Sequence, residues 1–278
     1  MVGLFDSGYS RTLIIFVVTK EKLKLPLFKR NIFNQSILLK KSTIRFFGTI
    51  VYFRFNFRYK ARIEGADLFQ YLPDKNVLII SNHQTYFADV SFFFHAIHAA
   101  ICGHPNSIRY PGFLRCKKHN IYYVAAEETM KAGFIPKLLA FSGAVTINRS
   151  WRANGKNVRR AVDRKETENI DRALEDGWLI TFPQGTTTPF APGRLGTAMF
   201  VKKYKPIVVP VVIDGFRRSF DKKGIRTKKK HSELKMRVKP PLEIDYSKTV
   251  EEIMEQLMKS IEQTPEFNII EKIKKQEK

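Results

Sequence analysis

Short apolar strands alternate with helices from about residue 77 to residue 213, and this alternation constrains the fold more than any other feature of the sequence. Runs rich in Val and Ile predict strands, and apolar residues spaced three or four positions apart predict helices. Repeated strand-helix units form a largely parallel sheet that helices cover on both faces, so the sequence predicts the α/β class. The predicted strands are 77–81, 121–125, 144–148, 178–182, 207–213 and 234–238, and the predicted helices are 89–101, 131–141, 164–176, 196–204 and 250–262.

A candidate catalytic pair follows the first predicted strand. Residues 81–89 read Ser-Asn-His-Gln-Thr-Tyr-Phe-Ala-Asp. An imidazole accepts a proton near neutral pH, and a carboxylate on its other nitrogen fixes the tautomer and stabilises the imidazolium. We therefore predict that His83 is a general base and that Asp89 orients it. A helix turns about 240° over six residues, so the two side chains must meet across a loop or a helix start.

Three further motifs follow along the chain. They are Gly143-Ala-Val-Thr-Ile-Asn-Arg149, Phe182-Pro-Gln-Gly-Thr186 and Ile207-Val-Val-Pro-Val-Val-Ile213. In open parallel sheets, functional side chains gather outside the carboxyl ends of the strands. His83, Arg149 and Gln184 each come just after a predicted strand, so the predicted topology brings them to the same edge of the sheet.

In this order, the four motifs resemble the sequence blocks of the lysophospholipid acyltransferase family, which includes PlsC-type (lysophosphatidate) and glycerol-phosphate acyltransferases. That family has an NHxxxxD block, a G…R block, an FPEGTR block and a VPV strand, and the resemblance covers about residues 70 to 215. It implies a sheet of the glycerol-phosphate acyltransferase type. It also implies catalysis by His83 and Asp89. The substrate-binding residues that it implies are Asn82, Arg149, Gln184, Gly185, Thr186 and Arg194.

The resemblance implies direct transfer of an acyl group from a thioester to a lipid hydroxyl. His83 takes the hydroxyl proton, Asp89 supports the imidazole, and backbone N–H groups of residues 182–186 stabilise the oxyanion. The donor is either acyl carrier protein or acyl-CoA, and no cofactor is needed. The family places four residues between its His and Asp, whereas five intervene here, and we expect a loop to absorb the extra residue.

The acceptor side departs further from the family pattern. Ala126, Gln184 and Thr187 stand where the family has a Lys, a Glu and an Arg. Arg149 remains, and Arg194 takes the approximate place of a Lys. Because Arg binds phosphate or carboxylate through two parallel hydrogen bonds, we expect a weaker anion site. The first expected acceptor is 1-acyl-glycerol-3-phosphate, and the alternative is an amino-acid lipid such as a glycine or ornithine lipid.

Positive charge is concentrated in two segments of a chain whose net charge is +23. Residues 1–65 contain thirteen Lys or Arg against three Asp or Glu, and residues 217–240 contain eleven against two. The first segment also has apolar runs at 13–18 and 46–53, each shorter than the roughly 20 residues of a spanning helix. This combination is typical of a segment lying in a membrane interface.

We therefore predict a membrane-associating segment at 1–65, an acyltransferase domain at 66–263 and a charged tail at 264–278. The expected location is the cytoplasmic face of the cell membrane, with membrane lipids and an acidic acyl carrier protein as candidate partners. Two other functions stay open. Charge and the 23 Phe residues are compatible with nucleic-acid binding, which we do not expect, and the longer His-Asp spacing is compatible with a membrane-bound pseudoenzyme.

Several classes of site are not expected. The two cysteines form no CxxC pair, which favours a reducing compartment. The sequence has no GxSxG motif and no phosphate-binding glycine loop, which argues against a serine hydrolase and a nucleotide-dependent enzyme. His95, His98, Cys102 and His104 lie in or after an apolar run that predicts a core helix, so we expect no metal site.

Overall fold

The structure is a computed structural model that describes residues 29–131, 133–147 and 164–268. Seven strands in these ranges form one sheet in the order β1-β7-β6-β2-β5-β3-β4. The strands are β1 (Lys60–Glu64), β2 (Val77–Ser81), β3 (Ile121–Ala126), β4 (Ala144–Ile147), β5 (Trp178–Thr181), β6 (Ile207–Asp214) and β7 (Glu233–Val238). The helices are α1 (Ile37–Arg58), α2 (Ala88–Ile101), α3 (Gly112–Arg115), α4 (Glu127–Lys131), α5 (Phe134–Ala140), α6 (Arg164–Asp176), α7 (Leu195–Tyr204), α8 (Phe216–Ser219) and α9 (Val250–Ser260), with 3₁₀ helices at Ala66–Gln70 and Pro265–Phe267.

The sheet is largely parallel, which confirms the predicted fold class. Strand β2 pairs in parallel with β5 on one side and with β6 on the other, and only the β6–β7 pairing among the described strands is antiparallel. Every residue of β2 is buried. Its alternate side chains enter two separate cores, as expected for a strand that helices cover on both faces. Val77 and Ile79 pack with α1 and α2, whereas Leu78 and Ile80 pack with α6, α7 and α9.

The segment predicted to associate with membrane contributes part of the folded domain. Strand β1 pairs in parallel with β7, and Ile63 is buried within it. Helix α1 also buries Ile44 and Phe55 in the core. Strand β1 is therefore part of the sheet, and α1 packs on its core, although both precede the predicted boundary at residue 65. The apolar run at 13–18 lies outside the described residues, and the membrane role of this segment stays a prediction.

One predicted helix is two helices. The sequence predicts a single helix over 131–141, but α4 ends at Lys131 and α5 begins at Phe134. Gly133 lies between them with a φ of 140°, a conformation that is far from helical and that residues other than Gly rarely adopt. The prediction was wrong because the periodic apolar residues continue across this break.

Within the described ranges, no helix combines the length and the apolar composition that crossing a membrane requires. The predicted charged tail begins with the 3₁₀ helix Pro265–Phe267, and residues 269–278 lie outside the description.

Candidate active site

The turn between β2 and α2 carries the predicted catalytic residues. Asn82 follows β2 and is buried. Its side-chain amide donates to the Ile213 carbonyl at 2.9 Å and accepts the Ile213 N–H at 2.9 Å. Asn82 thus ties the turn to β6 and fixes the point from which His83 projects. Because its amide is bonded to the backbone of Ile213, a substrate-binding role for Asn82 stays a prediction.

His83 and Asp89 meet although five residues separate them. The Nδ1 atom of His83 lies 3.0 Å from Oδ2 of Asp89. An ionised carboxylate can only accept a hydrogen bond, so Nδ1 carries the hydrogen and Nε2 keeps its lone pair. Asp89 is fully buried, whereas 13% of the His83 side chain is exposed. The pair therefore has the tautomer and the access that a general base needs.

The Asp89 carboxylate is held by the turn that precedes its own helix. Its Oδ2 accepts the backbone N–H groups of Gln84 at 2.6 Å and Thr85 at 3.0 Å. Its Oδ1 accepts the hydroxyl of Thr85 at 2.6 Å. These three donors fix the orientation of the carboxylate toward His83.

A distant loop accommodates the extra residue of the turn. The N–H groups of Tyr86 and Phe87 donate to the carbonyls of Lys222 and Lys223 at 3.1 and 3.0 Å. Gly224 follows with a φ of 78°, and a Cβ atom there would lie 2.6 Å from the Ala88 nitrogen. We call residues 221–230 the basic loop. Its backbone provides the acceptors that the longer turn requires, and its Gly permits the close approach.

The ring of Phe182 packs against the face of the His83 imidazole. Its ring stacks on His83 with a centroid distance of 4.0 Å and an interplanar angle of 21°. Gly185 has a φ of 61°, and its N–H donates to the Phe182 carbonyl at 2.9 Å, which closes the turn after β5. This amide is therefore engaged within the turn. The prediction that the turn supplies oxyanion donors must rely on its other amides.

His83 opens onto a cavity of about 590 Å³. Helices α1 and α2 supply an apolar part of the lining, with Ile44, Phe47 and Val51 from α1 and Val90 and Phe94 from α2. Gly185, Arg194 and Ala126 line it near the ends of the strands. A cavity of this size and largely apolar lining is typical of sites that bind small molecules.

The predicted substrate-binding residues lie in different places. Gln184 is 1% exposed, and its Nε2 donates to the Ala191 carbonyl at 3.0 Å and to Gln263 Oε1 at 3.2 Å. It is not among the residues that line the cavity, and its hydrogen bonds brace the turn after β5, so its contact with substrate stays a prediction. Thr186 contacts Thr188 through its hydroxyl, and its role stays a prediction.

Of the two Arg residues predicted to bind the substrate, the structure describes only Arg194. Arg194 lines the cavity at the start of α7, and its N–H donates to the Pro183 carbonyl at 2.8 Å. Arg149 lies outside the described residues. Sequence reasoning missed Arg217, whose N–H donates to the Gln84 side chain at 3.1 Å. Burial lowers the pKa of Arg217, and the nearby Asp89 carboxylate partly offsets this.

The candidate metal residues do not form a metal site in the part of the chain that is described, where no three His, Cys, Asp or Glu side chains are grouped to hold an ion. Nδ1 of His98 lies 2.7 Å from the Phe94 carbonyl and Nε2 lies 3.2 Å from the Lys118 carbonyl, and because a carbonyl only accepts, the nitrogen that carries the hydrogen is the donor. His98 is therefore a hydrogen-bonded residue of the core.

Comparison with known proteins gives a family match. A family model described as Acyltransferase matches residues 60–214, which is more than half of the chain. Among solved structures, the crystal structure of the 1-acyl-sn-glycerophosphate (LPA) acyltransferase PlsC from Thermotoga maritima is similar. It is 19% identical, with 80% of this chain and 78% of that chain covered and a TM-score of 0.48. No curated protein matches this chain.

Proposed function

The chain belongs to the Acyltransferase family, and on that premise we propose that it is a membrane-associated enzyme that transfers a fatty acyl group from a thioester to the hydroxyl of a lysolipid. The observation that carries the proposal is the His83–Asp89 pair, with Nδ1 and Oδ2 at 3.0 Å, at the mouth of a largely apolar cavity. The cavity suits an acyl chain, and the pair suits deprotonation of an alcohol.

The reaction proceeds in one displacement. The acceptor hydroxyl lies against Nε2 of His83 and loses its proton to this atom as its oxygen attacks the thioester carbonyl. Asp89 stabilises the imidazolium that forms, because a carboxylate and an imidazolium attract strongly in a site of low dielectric constant. Collapse of the tetrahedral intermediate forms the ester and expels the thiolate, which takes up the proton from His83. Phe182 and Asn82 keep the imidazole in place throughout.

The first acceptor we propose is 1-acyl-glycerol-3-phosphate, on the basis of the motif resemblance. Among the described residues of the cavity lining, Arg194 has a permanent positive charge and can bind the phosphate through two hydrogen bonds. Arg217 lies close enough to Asp89 for the two charges to attract, and it is a second candidate for binding the headgroup. Acyl carrier protein and acyl-CoA stay open as donors.

A carboxylate lipid is the second candidate acceptor, and one observation favours it. Ala126 lines the cavity at the position where a Lys would add a cation. A doubly charged phosphate requires more compensation than a singly charged carboxylate when water is removed. An amino-acid lipid with a free hydroxyl on its fatty chain therefore belongs in the same assay.

One face of the protein suits an anionic membrane. Helix α1 exposes Phe46, Ile50, Phe53 and Phe57, each by more than half, and their spacing places them along one side of the helix. Beside them lies the basic loop, with six Lys or Arg and one Asp in residues 221–230. Each basic residue near an anionic leaflet contributes about 1 kcal/mol to binding. This surface adjoins the catalytic turn, because the basic loop contacts Tyr86 and Phe87 directly.

The decisive experiment measures transfer on anionic vesicles. The full-length protein is mixed with acyl carrier protein or CoA thioesters and with lysophosphatidate, other lysophospholipids or a hydroxylated amino-acid lipid, and diacyl products are separated. We expect product from at least one acceptor and none with the His83→Ala variant. Absence of product with every acceptor would favour a binding protein without catalytic function.

Membrane association has its own test. Phe57→Asp should reduce flotation with anionic vesicles, since an exposed aromatic ring is replaced by a repelled carboxylate. Tyr71→Asp is the matched control, because Tyr71 is equally exposed but lies before the amino end of β2, away from this face. Equal loss in both variants would contradict the assigned surface.

A further inference from the structure

His95 is a buried polar residue that the proposed mechanism does not use. It lies in the middle of α2 and is 2% exposed. Within the described part of the chain, neither Nδ1 nor Nε2 has a hydrogen-bond partner. Instead the ring meets the edges and faces of Phe55 and Phe113, with centroid distances of 5.7 and 4.7 Å.

The neighbouring His98 shows why this arrangement is unusual. It lies three residues further along the same helix, and both of its ring nitrogens contact backbone carbonyls. Buried polar groups in proteins are nearly always hydrogen-bonded, because leaving one unpaired costs about 1 to 3 kcal/mol. An unpaired buried side chain therefore suggests a partner that binds later.

The chemistry of the ring limits what that partner can be. Burial lowers the pKa of His95 to about 3, and His98 reinforces this effect. The backbone of Gly48 opposes it, because it lies near the ring, although the contact does not have the geometry of a hydrogen bond. The imidazole is therefore neutral, with one N–H donor and one nitrogen acceptor. A neutral ring offers no charge to a phosphate or carboxylate, but it can donate to or accept from a hydroxyl group.

His95 faces the same cavity as the catalytic base. Both imidazoles belong to its lining, and the rings that contact His95 are those of Tyr52, Phe55 and Phe113. Along α2, His95 lies six residues beyond Asp89, a rise of about 9 Å. A chain whose carbonyl reacts at His83 would therefore pass His95 several carbons from its carbonyl end.

We infer that His95 is a recognition site for a hydroxyl group carried partway along the lipid chain in this cavity, so that the enzyme selects hydroxylated chains. The inference rests on the proposed function for its biological meaning, but the binding it describes does not require transfer. An unsubstituted chain would leave the imidazole unpaired and gain only apolar contacts. A hydroxyl at the right carbon would pair with it and would also be satisfied itself.

The first experiment measures binding, so that it stands even if no transfer occurs. Saturated fatty acids of one length, either unsubstituted or with a single hydroxyl moved stepwise along the chain, are titrated into the full-length protein. We expect one range of hydroxyl positions to bind at least about fivefold more tightly than the unsubstituted acid. If no hydroxylated acid binds more tightly than the unsubstituted acid, the inference is overturned. This is also the result expected if a trapped water molecule already pairs with His95.

Variants then assign the preference to His95. His95→Phe should remove the preference and leave binding of the unsubstituted acid intact, and its melting temperature should not fall, because an unpaired polar group is replaced by a ring. His95→Asn keeps a donor and an acceptor and should retain part of the preference. Phe47→Leu is the matched control, since it changes the apolar lining alone and should affect both acids equally. A preference that survives in His95→Phe would refute the assignment.

Transfer assays identify which chain carries the hydroxyl. One arm uses a hydroxylated acyl thioester with an unsubstituted lysolipid, and the other reverses the two. The arm whose kcat/KM depends on His95 identifies the chain that occupies the cavity. If neither arm shows activity with any acceptor while the binding preference persists, the proposed function fails and the recognition site remains.

Discussion

Replacing Asp89 with Asn tests the catalytic pair with little disturbance to the fold. The Asn carbonyl can take the place of Oδ2, which accepts from His83, Gln84 and Thr85. The Asn NH₂ group would take the place of Oδ1 and donate to the Thr85 hydroxyl, which can rotate to accept. The geometry is retained and the negative charge is lost.

The size of the effect follows from the distance between the two groups. At 3.0 Å and an effective dielectric constant of about 20, a carboxylate attracts an imidazolium by about 5 kcal/mol. A neutral hydrogen bond worth about 1 kcal/mol remains in the variant. The transition state therefore loses about 4 kcal/mol, which corresponds to about a thousandfold in kcat/KM. The free energy of unfolding should fall by only about 0.3 to 1 kcal/mol, which is the contribution of a negative charge near the amino end of a helix.

The assay compares thiol release by Asp89→Asn with that by Thr85→Val, and follows thermal unfolding of both. Thr85→Val removes the 2.6 Å hydrogen bond to Oδ1 but keeps the charge, so it should cost about tenfold in turnover. Turnover of Asp89→Asn within tenfold of the wild type, with the fold intact, would refute the role of Asp89. So would a larger loss in Thr85→Val than in Asp89→Asn.

Three further outcomes are expected. Gly224→Ala should lower turnover at least about tenfold, because the added methyl group would push Ala88 away. Gly103→Ala is the control: Gly103 has a φ of 89° and nothing within 4 Å, so this variant should lose only about 1 to 2 kcal/mol of stability. Equal turnover in both variants would exclude a role for the basic loop. Burial lowers the pKa of Lys40 to about 7, so between pH 7 and about 10 the unfolded chain binds more protons than the folded one, and stability rises with pH. Lys40→Met should reduce the slope of unfolding free energy against pH by up to about 1.4 kcal/mol per pH unit. Urea unfolding at several pH values measures this slope. Gln184→Glu should destabilise the protein by about 3 kcal/mol or more, because a buried carboxylate would face the Ala191 carbonyl, and unchanged thermal stability would show that Gln184 lies elsewhere.

The sequence predicts the central strands because their composition follows from their surroundings. Strands covered on both faces need continuous apolar residues, and β2 and β6 have them. Strand β1 lies at the edge and buries Ile63 alone among its five residues, so its pattern is too weak to recognise. Helix α1 reverses the usual pattern, since it buries Lys40 and exposes Phe57, and neither its length nor its packing could be predicted.

The contact between His83 and Asp89 was predictable from local sequence, whereas the contacts that support it were not. His83 and Asp89 lie six positions apart and share a motif. The contacts that hold them join residues far apart in sequence, such as Asn82 with Ile213 and Tyr86 with Lys222. Each of these contacts uses backbone atoms on at least one side, so side-chain identity gives no indication of it. Motif position also gives no side-chain direction: the Gln184 amide donates to the Ala191 carbonyl and to Gln263, and its contact with substrate stays a prediction.

The longer His-Asp spacing no longer argues for a pseudoenzyme. That alternative rested on the expectation that an extra residue would pull the two side chains apart, yet Nδ1 and Oδ2 lie 3.0 Å apart. The extra length is absorbed where Tyr86 and Phe87 pair with the basic loop, and Gly224 leaves room for the turn. The departure from the family motif and the basic loop are thus parts of one arrangement. Two further features lie in the cavity lining, where Ala126 stands at the position of the family's Lys and the ring nitrogens of His95 have no hydrogen-bond partner, and the proposed substrate preferences rest on them.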